Sequence, residues 1–222
     1  MKQVTKTFHV YDFDELSKEA QEVARKGVEE EVTGLRFDSF SINMAEDLKA
    51  VYSIDVDPRF SLSYSQGDGV SFNCDNFNSP ELIQAMKGLK GIEEAVINNI
   101  ELLNKEEAIE VKVKSSGRYA YAAGWHVNVT ILEDFAQLIP DYMLDAIINA
   151  FKTLYVKLCE EWKAIGYSLY DVTIEDAQDF AEMYGLEFYA DGSRYHDQDW
   201  YSDAFHTFWV NGSYSKHGNG RV

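Results

Sequence analysis

The stretch Arg59-Phe60-Ser61-Leu62-Ser63-Tyr64-Ser65-Gln66-Gly67-Asp68-Gly69-Val70-Ser71-Phe72-Asn73-Cys74 decides the fold class. Two short runs read as strands, Arg59 to Ser65 and Val70 to Cys74, flank Gln66-Gly67-Asp68-Gly69. An Asp-Gly step tolerates positive φ and is a strong hairpin signal, so the spacing predicts two antiparallel strands with the turn at these residues. A second hairpin is predicted over Ala108 to Lys114 and Tyr119 to Ile131, around Ser115-Ser116-Gly117. Thr5 to Tyr11 alternates and reads as a further, first strand.

Helices fill the intervals. Asp14 is expected to cap a helix to about Val32, with Leu16, Ala20, Val23, Ala24 and Val28 on one face. A separate helix is expected from Ser39 to Tyr52, with Ile42, Ala45, Leu48 and Val51 inward. Ser79-Pro80-Glu81 combines a capping hydroxyl, proline at the first helical position and an early carboxylate. The apolar spacing from there runs from Leu82 to Leu103, weakened by Gly88 and Gly91, which kink or split the helix. After Pro140 a long helix places Leu144, Ile147, Ile148, Phe151, Leu154, Leu158, Trp162 and Ile165 inward and is expected to end at Gly166. Thr173-Ile174-Glu175-Asp176 opens a last helix closed by Gly185. Hairpins interleaved with amphipathic helices predict an α+β fold, an antiparallel sheet built from hairpins and packed against several helices. Residues 1–190 read as the core domain and 191–222 as an aromatic, acidic C-terminal extension.

Composition narrows the function classes. The 222 residues carry 38 acidic and 20 basic side chains, a formal charge of −18, whereas 45% hydrophobic residues suffice for a sizeable core. Binding to a phosphate backbone depends on Lys and Arg displacing counterions, so direct contact with nucleic acid or an anionic membrane is disfavoured. A basic protein partner is favoured, because opposite fields speed and orient encounter; acidity that serves solubility alone is the other reading. Met1 to Phe13 has no apolar core of signal-peptide length, and no run is long enough to span a bilayer. Cys74 and Cys159 are two separate thiols rather than a disulfide framework, which suits a reducing compartment and predicts a cytoplasmic protein.

No sequence motif specifies a reaction. Gln66, Gly67, Asp68 and Gly69 could let backbone amides approach a ligand, but a turn between two strands has the same composition. His196, Asp197, Asp199 and His206, with His126, are metal-capable side chains without a recognisable ligand spacing. Glu160-Glu161 and Glu29-Glu30-Glu31 are adjacent on helices and point about 100° apart, which does not make a catalytic pair. No cofactor is implied, and a small-ligand or metal-dependent enzyme stands as an alternative. In the extension, Asp197, Asp199, Trp200, Tyr201, Asp203 and Trp209 set aromatic anchors among carboxylates, a pattern suited to a protein partner or to core packing.

Four segments carry a resemblance. Tyr11-Asp12-Phe13-Asp14-Glu15-Leu16-Ser17-Lys18-Glu19-Ala20, the hairpin from Leu62 to Phe72, Ser115-Ser116-Gly117-Arg118-Tyr119, and Phe180 to Gly192 together resemble a largely uncharacterised family of small phage and prophage proteins, at times labelled antitoxin-like. The resemblance implies a mobile-element origin. It leads to the expectation of an accessory protein that binds and inhibits a basic, nucleic-acid-handling host protein such as a CRISPR effector, with an antitoxin-like regulator as a further alternative.

Overall fold

The computed structural model describes residues 7–65, 67–115 and 124–196. It is α+β, with six helices and two antiparallel hairpins among the described residues: α1 (Lys18–Tyr52), β1 (Asp57–Ser61), β2 (Gly69–Asn73), α2 (Pro80–Met86), α3 (Glu94–Lys105), β3 (Ile109–Ser115), β4 (Trp125–Ile131), α4 (Glu133–Ala136), α5 (Asp141–Ser168) and α6 (Ile174–Tyr184). The chain divides into two compact units, Met1–Thr33 with Val172–Val222, and Gly34–Asp171. Residues 18–33 of α1 fall in the first unit and residues 34–52 in the second.

The first unit has a small core of Phe13, Leu16, Ala20, Ala24, Val28 and Val32 against Ala177, Phe180, Ala181 and Phe188. The expected first strand is reduced, among its described residues, to one antiparallel bridge, Tyr11 to Phe188, with N–H···O distances of 2.9 and 3.0 Å. Pairing stops there because Phe13–Glu15 turns into a short 3-10 helix, closed by the Asp12 N–H on the Glu15 carboxylate. Helix α1 begins at Lys18 rather than Asp14, because the Ser17 hydroxyl accepts from the Ala20 amide. At the other end of the unit, Thr173 and Asp176 form a reciprocal capping box on α6, and Gly185 ends it at φ 61°.

The second unit is built around α5, whose Ile147, Phe151, Leu154, Tyr155 and Leu158 are buried with residues of both hairpins. The hairpins pair Asp57–Ser61 with Gly69–Asn73 and Ile109–Ser115 with Trp125–Ile131. One bridge, Cys74 to Val113, ties them together, and the Phe77 N–H extends the tie to Val111 O at 2.8 Å. Gly88 and Gly91 lie in the break that separates α2 from α3, and Ser79 caps α2 through the Leu82 amide.

Several expectations about faces and ends are corrected. The segments read as two helices are the single helix α1, and its inward residues in the second unit are Phe40, Met44 and Leu48, while Ile42 and Val51 face solvent. Val23 is likewise exposed, because Ala20, Ala24, Val28 and Val32 already form the inward stripe. Gly166 does not end α5: it lies inside the helix, where an added Cβ would sit 2.2 Å from Leu62 Cδ1 and 3.1 Å from Phe40 Cζ. Close approach, rather than termination, explains that glycine. Ile165 beside it is exposed.

Candidate functional site

The connection between β1 and β2 is longer than the turn expected at Gln66-Gly67-Asp68-Gly69. Gly69 is already inside β2 and buried, and the strands are separated by residues 62–68. Asp68 closes this connection with its side chain. One carboxylate oxygen accepts from the Ser63 amide at 2.7 Å, the Ser65 amide at 3.1 Å and the Tyr167 hydroxyl at 3.0 Å. The other accepts from the Ser65 hydroxyl at 2.8 Å. Partial burial pushes the Asp68 carboxyl up, but the Ser65 hydroxyl, the Ser65 and Ser63 amides and Tyr167 together outweigh it and bring the pKa down to about 2. The carboxylate is therefore charged and already engaged by the protein's own donors. Gly67 adopts φ 97°, a conformation that glycine takes without a steric penalty. Gln66 lies outside the described residues.

Beside Asp68, through its Tyr167 donor, is a group of three tyrosines. Tyr64 packs on Tyr167 and Tyr170, with ring centroids 4.8 and 5.3 Å away. The Tyr170 hydroxyl donates to the Leu62 carbonyl, so both supporting rings are tied to the segment that carries Tyr64. Tyr64 nonetheless remains 73% exposed and holds φ at 54°, unusual for a bulky residue. The sequence reading missed this cluster. Tyr64 is about a hundred positions from Tyr167 and Tyr170, and only the packing of the C-terminal end of α5 and the residues after it against the β1–β2 connection brings them together.

Negative charge is unevenly distributed. Residues 7–33 and 172–196 of the first unit hold fourteen acidic and four basic side chains, whereas residues 34–171 hold twenty-one and twelve. The net charge is −10 over 52 residues in the former and −9 over 138 in the latter. Two of the first unit's cations are committed internally: Arg25 to Glu22 and Glu29, and Arg194 to Glu31. In the second unit Lys49, Arg59, Lys87, Lys112, Lys114, Lys157 and Lys163 all pair with carboxylates.

Helix α6 concentrates this charge on one face. Glu175, Asp179, Glu182 and Met183 follow helical spacing and are all exposed. Met183 is 75% and the neighbouring Tyr184 52% exposed, so the acidic row ends beside two accessible apolar side chains. The last turn of α6 contains no basic residue to complement its carbonyl end.

Of the partner-binding residues expected from sequence, Asp197, Asp199, Trp200, Tyr201, Asp203 and Trp209 lie outside the described residues. Residues 197–222 carry three acidic and two basic side chains, so the dense charge is not in that segment. His196 and His126 are exposed, and His206 is not described. Among the described residues no three His, Cys, Asp or Glu side chains are grouped to hold a metal ion. No described helix is long and apolar enough to cross a membrane. Cys74 and Cys159 are both free and buried. Comparison with protein-family models, with curated proteins and with solved structures finds no match to the chain.

Proposed function

We propose that this chain is an accessory protein that binds a basic, nucleic-acid-handling protein and blocks it by occupying its cationic surface. The observation that carries the reading is the α6 face. Asp179 has Glu175 four residues before it, Asp176 three before and Glu182 three after, so it meets carboxylates in three directions. Asp176 caps the helix and Glu175 suits its N-terminal end, but Asp179 and Glu182 add like-charge neighbours, each unfavourable by about 0.2–0.5 kcal/mol, that the fold does not require. A cationic partner would relieve that repulsion, and Met183 and Tyr184 supply apolar contacts beside it. The resemblance to phage and prophage proteins supports a host protein as the target, with a CRISPR effector as one candidate.

The test is capture from bacterial lysate by the tagged chain, with a Glu175→Lys, Asp179→Lys, Glu182→Lys variant in parallel. The expected catch is a basic nucleic-acid-binding protein, released as salt rises, displaced by duplex nucleic acid, and absent with the variant. A partner that is retained in high salt, ignores nucleic acid and binds the variant equally well refutes the reading. Charge reversal at Asp197, Asp199 and Asp203 tests the contribution of the C-terminal segment in the same assay.

A further inference from the structure

We propose that the Tyr64 ring, backed by Tyr167 and Tyr170 beside Asp68, is a docking platform for an arginine side chain of a basic partner protein. The inference rests on the reading of a basic partner and identifies the group that such a partner would insert. Three observations lead to it. Tyr64 leaves most of its ring in solvent although two other rings lie within reach to bury it. Its backbone is held at φ 54° by a carboxylate that accepts from the amides on either side of it, Ser63 and Ser65. A bulky side chain in this region carries strain that a glycine or asparagine would avoid, and such strain persists where the surroundings impose it.

The third observation is rigidity with charge. The Tyr167 hydroxyl is fixed on Asp68 and the Tyr170 hydroxyl on the Leu62 carbonyl, so the platform is formed before any ligand arrives and little order remains to be imposed on binding. The Asp68 carboxylate that accepts from the Tyr167 hydroxyl is ionised, and its field together with the electron-rich ring face favours a cation. A guanidinium is planar, stacks on aromatic faces and is weakly hydrated, which selects arginine over lysine. In a chain of net charge −18 the long-range field also draws in a cationic segment.

The experiment titrates the intact protein at low salt with a short arginine-rich peptide and with its lysine-for-arginine twin, following the tyrosine ring signals by NMR. Wild type is expected to bind the arginine peptide about two- to fivefold more tightly, the range of an exposed cation–π contact, with the Tyr64 ring signals shifting. Tyr64→Ala removes that preference, whereas Tyr64→Phe, which keeps the ring, retains it. Asp179→Lys weakens both peptides alike and leaves the preference unchanged. A preference that survives Tyr64→Ala, or that wild type lacks while still binding both peptides, overturns the platform but not the basic-partner reading. Failure of wild type to bind either peptide overturns both.

Discussion

The Tyr155 hydroxyl accepts a hydrogen bond from the Phe72 N–H at 3.0 Å and donates one to the Phe72 carbonyl at 3.1 Å. One side chain of α5 thus satisfies both main-chain polar groups of a residue in β2, where a neighbouring strand would otherwise be required. Pro58 faces Phe72 across the hairpin, a position where its missing N–H is not needed because Phe72 directs its own groups toward Tyr155. Burial pushes the Tyr155 hydroxyl well above the ordinary phenol range, so it stays protonated and able to donate. Tyr155→Phe leaves two buried main-chain groups unsatisfied. It should destabilise the protein by about 1–3 kcal/mol, read as a shift in urea midpoint with unchanged slope.

Asp68 predicts an acid-sensitive contribution to stability. Its folded pKa, about 2, lies below the ordinary value of 3.8, so the stabilisation is fully present above about pH 4 and is lost as pH falls through about 2. Asp68→Asn presents an amide NH2 to donors that need an acceptor. The variant should be less stable at neutral pH and should show a flatter loss of stability between about pH 4 and 2. An unchanged acid profile would count against this role.

Asp179→Lys separates folding from binding. The new cation would meet Glu175, Asp176 and Glu182 and turn three repulsions into attractions. The melting temperature should rise by a few degrees, in line with about 0.5–1 kcal/mol, while affinity for a basic partner falls. Calorimetry and the capture assay read the two effects independently.

Gly192 lies against the first turns of α1. At φ 85°, a Cβ there would stand 2.0 Å from the Ala20 carbonyl oxygen and 2.8 Å from its carbon, both backbone atoms that a side-chain rotation cannot clear. Gly192→Ala should destabilise the first unit by roughly 2 kcal/mol or more, with increased amide exchange at Tyr11 and Phe188, the bridge that closes the same unit.

The two thiols should be unreactive in the folded state. Burial pushes the Cys159 thiol up to about 12 and raises that of Cys74. A disulfide reagent at pH 8 should label neither until denaturant unfolds the second unit, and then both, at the rate of unfolding.

What the sequence determined by itself is local. Ser79-Pro80, the Thr173–Asp176 box and Gly185 act within a turn or two of helix, and each appears where its chemistry requires. The apolar spacing of α5 is read the same way, because the element's period is written into its own residues. The excess of acid is likewise visible from composition. Tertiary structure decided the rest. Ile42, Val51 and Val23 have helical spacing that competes with Phe40, Met44 and Leu48 or with the alanine stripe, and only the packed partner selects which row is buried. Gly166 reads as a helix stop until Leu62 and Phe40 are seen against it. Asp68 reads as the tip of a tight turn, yet its Tyr167 donor is supplied from 99 positions away. Local signals depend on neighbours in the chain, whereas the face a helix buries and the donor a carboxylate finds depend on neighbours in space.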